Sequence, residues 1–187
     1  MNIFNLHEDT KKSAQMHCDK HVVKMIIEYA QLMSTAHRIL DGVEYEDRTK
    51  NNRRIRRWKH PNANVENTLY KASHINHPSA IWTRESITNY IWLHSLFENL
   101  CDEYTHRYGK VHYTDSLLRE LLRTPPVNIE EKGLTEIPQA MPDDVKGDDS
   151  ILAYRNYYIK YKKDFAKWTN RETPTCLLYT SPSPRDS

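Results

Sequence analysis

Six side chains between His17 and Thr35 follow one another at intervals of four, three, four, three and four residues: His17, His21, Lys24, Glu28, Gln31 and Thr35. At about 100° per residue these intervals stack them along one line of a helix. Two imidazoles, an amine and a carboxylate on the wall of a cleft form a set suited to proton transfer and amine chemistry. The same stripe turned to open water is only the solvated face of a core helix, and the pattern fits both. Glu28 is the candidate acid–base residue and His21 stands beside it. Lys24 and the α-amine of Met1 are the candidate amines. An unperturbed α-amine titrates at about 7.7–8.0 and is partly neutral near neutral pH, whereas Lys24 needs burial or a neighbouring cation to lose its proton. His17 and His21, one turn apart, are also spaced to grip a metal ion, with Glu28 or His74 and His77 as further ligands. They lack a His-Glu-x-x-His context, which leaves them weak metal candidates, and no cofactor is expected.

A second constellation is electrostatic. Arg48, Lys50, Arg53, Arg54, Arg56, Arg57 and Lys59 fall in a run of twelve residues that holds no acid and includes Trp58. The acids collect elsewhere, at Glu130-Glu131 and from Asp143 to Asp149, so a net charge of +2 conceals segregation. One basic face of this kind suits a polyanion, and its arginine content favours phosphates. DNA is the expected partner. Arg53, Arg54, Arg56, Arg57 and Lys59 would meet the backbone while Trp58 stacks on a base or wedges into the duplex. A solvated loop with a docked tryptophan is the plainer alternative. Near the end, Tyr154, Tyr157, Tyr158, Tyr161, Phe165 and Trp168 recur at helical spacing among Arg155 and several lysines. Such a stripe is more often core than platform, but with the basic run it makes Arg155, Tyr157 and Tyr158 candidate DNA contacts.

The elements that must carry these residues are helical. Lys11 to Leu40 reads as one long helix, apolar over most of its circumference and therefore packed on several sides. Asp41-Gly42 stops it, and residues 43–78 read as a polar connection. Ser79 caps a helix running to about Tyr108 and ending at Gly109, and Thr114 or Asp115 caps a short leucine-rich one. A last helix spans roughly Ser150 to Thr169. Strand signals are nearly absent. The expectation is an all-α, single compact domain of about four main helices, with Met1 to Leu6 as a short extended entry.

Composition narrows the class further. Only four glycines occur and none cluster, which removes a phosphate-cradling loop, and there is no Gly-x-Ser-x-Gly. No run of eighteen apolar residues exists, so no membrane span is expected. Cys18 and Cys101 sit on apolar helical faces and suit reduced thiols in a cytoplasm. The last twelve residues, Cys176 to Ser187, read like the conceptual translation of a transposon-type sequencing adapter. The domain is accordingly expected to span 1–175, with 176–187 an artefactual tail.

The stretch Ala14 to Met25, with Asp19-Lys20-His21-Val22-Val23-Lys24-Met25 at its centre, resembles a family of short tailed-phage proteins with no assigned activity. His77-Pro78, Tyr104 to Lys110 and Tyr154 to Tyr158 share in that resemblance. More loosely, the chain is similar to the phage-type pyrimidine-dimer DNA glycosylases, small all-α proteins with an Asp-Gln-His motif and a catalytic glutamate seven residues after its histidine. His21 and Glu28 keep that offset, and Tyr154-Arg155-Asn156-Tyr157-Tyr158 is similar in kind to that family's aromatic segment near the DNA. The resemblance implies an α-amine nucleophile and Glu28 as catalytic carboxylate. Asn2 stands where the family exposes threonine, and Ile27 where it carries arginine. The leading expectation is thus a phage-encoded glycosylase/AP-lyase-like repair enzyme. A non-catalytic nucleic-acid-binding accessory protein and a histidine-based metal-dependent hydrolase are the alternatives.

Overall fold

The computed structural model describes residues 1–178. The first surprise is a break in the long helix. Helix α1 covers Thr10–Met16, with Asp9 as N-cap accepting from the Lys12 amide at 3.0 Å, and α2 covers Asp19–Asp41. Between them Cys18 is extended, with ψ of 161°. Its amide donates to the Tyr158 hydroxyl at 3.2 Å, and the Asp19 amide donates to the Lys167 carbonyl at 2.7 Å. These partners, all remote in sequence, satisfy the donors that a helix end leaves open. The apolar period runs on through the break because both helices bury against one core.

Helix α2 is the axis of that core. Val22, Met25, Ile26, Tyr29, Ala30, Leu32, Met33 and Ala36 are buried along it, while Val23 and Ile27 stay exposed. The entry segment, residues 1–6, forms neither strand nor helix, with Ile3, Phe4 and Leu6 buried and the Leu6 amide donating back to the Phe4 carbonyl at 3.1 Å. The Tyr29 hydroxyl accepts from the Phe4 amide at 3.1 Å, and Ser13 Oγ donates to the Phe4 carbonyl at 3.1 Å.

Residues 43–78 are not an unstructured connection. Strands β1 (Val43–Arg48) and β2 (Arg54–Lys59) form an antiparallel hairpin, registered from Val43 opposite Lys59 to Arg48 opposite Arg54. The fold is therefore mostly helical with a small sheet, not purely α. The hairpin escaped the sequence reading because β1 is exposed throughout, so no alternation of apolar and polar residues marks it. Cross-strand charge pairs support it instead. Asn52 turns its tip with φ of 60°, a conformation asparagine tolerates. At the foot, Trp58 is buried and Arg38 gathers the chain. Its guanidinium donates to the carbonyls of Tyr70 (2.7 Å), Trp58 (2.9 Å) and Leu69 (3.0 Å) and to Glu66 Oε2 (2.6 Å) in the short helix α3 (Ala63–Thr68). Gly42 joins α2 to β1 in tight quarters, since a Cβ there would lie 2.4 Å from the Arg38 carbonyl oxygen.

The next predicted helix is also two, α4 (Pro78–Glu85) and α5 (Ile87–Tyr108), separated by an extended Ser86 whose hydroxyl lies within bonding distance of the Gly133 carbonyl and Glu131. Gly109, at φ of 66°, ends α5 in the left-handed C-cap that the sequence predicts. Helix α6 (Tyr113–Leu118) and a 3-10 turn (Leu121–Arg123) follow. The last long helix is shorter than expected: α7 is Ser150–Tyr157, continued by a π turn over Tyr158–Lys162. Thr175–Leu178 form a final turn, α8, in which Leu177 is buried. The remainder of the expected artefactual tail, 179–187, lies outside the described residues. Among the described residues no helix is long and apolar enough to cross a membrane, and Cys18 and Cys101 are free and buried.

Candidate functional site

The break before α2 undoes half of the predicted polar stripe. His17 caps α1 and turns inward, fully buried, with Nδ1 2.7 Å from the Ser13 carbonyl and Nε2 2.8 Å from the Tyr29 hydroxyl. Burial pushes its pKa down to about 4. His21 is buried too, stacked on Phe4 at 4.2 Å between centroids, its Nδ1 2.5 Å from the Tyr158 hydroxyl. Burial, helped by His17 and by Lys162, Lys24 and Lys20, pushes its pKa down to about 3. Both rings are neutral packing groups near pH 7. They are not a metal pair, because both nitrogens of His17 are already engaged. The metal-hydrolase alternative built on them is thereby withdrawn.

The outer half of the stripe survives as a face. Glu28 keeps 20% of its side chain exposed and stands 3.9 Å from Lys24, which is 65% exposed. Gln31 is half-buried and Thr35 is buried. Thr35 meets the segment 70–77: the Ser73 amide donates to Thr35 Oγ1 at 3.2 Å, and Oγ1 lies 3.5 Å from the Ser73 carbonyl. Glu28 lies two turns up the same face, roughly 10 Å along the axis.

Segment 70–77 is where distant parts of the chain meet. From the hairpin, Arg57 Nη1 donates to the Ala72 carbonyl at 3.1 Å. At the other end His77 caps α4, its Nδ1 accepting from the Ser79 amide at 3.0 Å. Burial lowers the His77 pKa, and the chain's own α-ammonium and His74 lower it further. His74 itself holds φ of 49°, unusual for a residue with a Cβ.

Several side chains between residues 57 and 84 carry buried polar atoms without protein partners. Arg57 Nε, Ser73 Oγ, Ser79 Oγ and Arg84 Nη1 are four of the five such buried side-chain atoms among the described residues. An unpaired buried donor costs about 1–3 kcal/mol, so each of these atoms calls for a partner other than protein, an ordered water included. Arg84 sits seven residues after His77, hence on the same side of α4, and burial lowers its pKa. Sequence reasoning named His74 and His77 only as spare metal ligands and missed Ser73 and Arg84. The one-dimensional signal available was the His77–Arg84 interval of two turns.

The basic run presents a mixed picture. Arg53 and Lys59 are exposed. Arg56 binds Glu44 through two contacts, 2.6 and 3.3 Å, and Arg54 reaches Glu46 at 3.4 Å. The Arg56 hydrogen bond holds the Glu44 carboxyl below its usual range. Acid-free in sequence, the run acquires acids from the strand beside it. Trp58 is 7% exposed, with the Arg56 guanidinium 5.0 Å from its ring centre, so it offers no free face to a base or wedge to a duplex. At the far end, Tyr158 is buried against His21 and Cys18, Arg155 Nε donates to the Leu6 carbonyl at 2.8 Å, and Tyr157 is half-buried with the Lys162 ammonium 4.6 Å from its ring centre. Tyr158 and Arg155 brace the entry segment.

Residues 1–117, which hold the amine, Glu28, the hairpin and α4, match the family model described as pyrimidine dimer DNA glycosylase. No curated protein and no solved structure matches the chain. The family match spans well over half of the sequence, and this chain belongs to the pyrimidine dimer DNA glycosylase family.

Proposed function

We propose that the chain excises bases from pyrimidine-dimer-type lesions in DNA by attack of its α-amine on the sugar. The amine nitrogen bonds to C1′ while the bond from C1′ to the base breaks, its electron pair leaving with the base. Glu28 stabilises the positive charge that gathers on the sugar and manages the protons. What supports the reading is the family match over residues 1–117, which hold the α-amine, Glu28 and the basic hairpin. Lys24, largely in solvent beside Glu28, is the weaker amine. Arg53, Arg54, Arg56, Arg57 and Lys59 serve as the phosphate contacts, with Tyr157 at the periphery. Phage origin and action in the cytoplasm of the host cell follow from the same resemblance.

The test is reductive trapping. The chain is incubated with abasic and ultraviolet-irradiated duplexes in borohydride, and the covalent adduct is mapped by peptide mass. An adduct on the N-terminal peptide is expected. An adduct on the Lys24 peptide transfers the nucleophile to that lysine. Absence of any adduct while DNA is still bound favours the non-catalytic binding protein, a reading to which Asn2 and Ile27 lend weight because they replace the family's threonine and arginine.

A further inference from the structure

We propose that His37, Asp41 and His60 form a site for a divalent transition-metal ion of the Zn²⁺ type, tying the C-terminal end of α2 to the foot of the hairpin. One donor atom from each of the three lies within 4.8 Å of the others. They line a cavity of about 560 Å³ whose other walls include Val65, Leu69 and Pro125. His37 is nine residues from Glu28 on α2, half a revolution round the helix, so the site is separate from the proposed catalytic face.

The side chains are oriented as ligands need to be. His37 and Asp41 are spaced i, i+4, one turn apart on α2. His37 Nε2 lies 2.9 Å from the Tyr90 hydroxyl, which spends its own proton on the Leu122 carbonyl at 2.7 Å. Nε2 must therefore carry the imidazole proton, leaving Nδ1 as the lone pair. A ligating histidine held through its other nitrogen in this way is the usual outer-shell arrangement. Asp41 is held by the amides of Val127 (2.7 Å) and Asn128 (2.9 Å) and by Asn128 Nδ2 (2.9 Å).

His60 is the movable member. Its Nδ1 accepts from the Asn62 amide at 3.1 Å. Whichever nitrogen it lends to the ion, that contact is given up, since Nδ1 then either ligates or holds the proton. Tetrahedral ligands at about 2.0–2.1 Å from a metal are roughly 3.3 Å apart, so the three donors draw together by at most about 1.5 Å on binding. Two imidazoles and one carboxylate favour Zn²⁺, Co²⁺ or Ni²⁺ over Mg²⁺ and Ca²⁺, which prefer all-oxygen sets. Solvent in the cavity is available for a remaining position.

Equilibrium dialysis of the full chain against Zn²⁺ is expected to give one ion per chain. His60→Ala and Asp41→Asn should each weaken it at least tenfold, with circular dichroism unchanged. Tyr90→Phe, which frees the His37 ring, should weaken it about tenfold or more. Imidazole ¹⁵N–¹H spectra of the unaltered chain provide a readout that no variant's folding can obscure: the His37 and His60 ring signals should shift together as Zn²⁺ is added. Zn²⁺ uptake indifferent to His60→Ala and Asp41→Asn, static His37 and His60 signals, or equal uptake of Mg²⁺ at this site would each overturn the proposal.

Discussion

A carboxylate with one-fifth of its surface in water, on a helix whose neighbouring turns are buried, has room to meet a ligand without supporting the core. Glu28→Gln preserves the volume and helix propensity of that side chain but removes its charge and its capacity for protons. Excision and strand cleavage on irradiated and abasic duplexes should be abolished, while a thermal melt shifts stability by no more than a few tenths of a kcal/mol. Equal cleavage by both proteins would remove Glu28 from the chemistry. Histidine burial makes a different prediction. His17, His21 and His37 have folded-state pKa values pushed down to about 4, 3 and 4. Against an ordinary value of about 6.5, the unfolded chain binds more protons as pH falls, so stability should decline with acid between about pH 6.5 and 4. The carboxylates of Asp19, Glu66 and Glu103, held low by their hydrogen bonds, lose their contribution only below that window. Urea melts at pH 7, 6 and 5 measure the slope, and one that stays flat until pH 4 would contradict the buried-histidine account.

A hairpin whose first strand lies wholly in water and whose second is buried only at Trp58 holds together through the ladder and cross-strand charges, which leaves its outward surface free for a polyanion. Seven bases face three acids between Val43 and Lys59. Charge reversal at Arg53, Arg54, Arg56 and Arg57 together is expected to weaken DNA binding across all sequences and to flatten its salt dependence. Each lost phosphate contact removes about 0.9 from the slope of log K against log salt. The control is charge reversal at Lys132, an exposed cation outside the hairpin, which removes none of the proposed phosphate contacts and should leave the slope nearly unchanged. Anisotropy titrations at several salt concentrations decide between them. A slope equal to wild type in the quadruple variant would take the hairpin out of the interface.

Across the whole molecule, a single buried guanidinium joins parts that are far apart in sequence. Arg107 on α5, with no exposed side-chain surface, donates to Glu103 (3.0 Å), to Asp19 at the start of α2 (3.0 Å) and to the Gln15 carbonyl in α1 (3.0 Å). Asp19 in turn accepts from the Thr169 amide and Glu103 from Arg171, so the closing segment is tied into the same network. Removing one member of a buried ionic cluster leaves the others uncompensated, at a cost of about 3–5 kcal/mol. Arg107→Ala should lower stability by that amount in a denaturant melt, and a loss below 1 kcal/mol would mean that water already screens the network.

Several features were legible in the residues alone because they are local. Helical periodicity, the Gly109 stop, the burial of Cys18 and Cys101 and the density of arginine before Trp58 depend on neighbours within a turn or two. The likeness carried by His21 and Glu28 rested on sequence in the same way. What needed the tertiary structure was every feature set by partners far along the chain. The helix breaks at Cys18, although its apolar period continues, because Tyr158 and Lys167 satisfy the exposed ends. His17 and His21 turn inward because Tyr29 and Tyr158 wait there with hydroxyls. The hairpin left no period-two signal, since β1 is exposed throughout and Trp58 alone is fully buried in β2. The meeting of Arg57 and Thr35 on the short segment that ends at His77 has no one-dimensional trace, because packing selects such contacts only after the elements have formed.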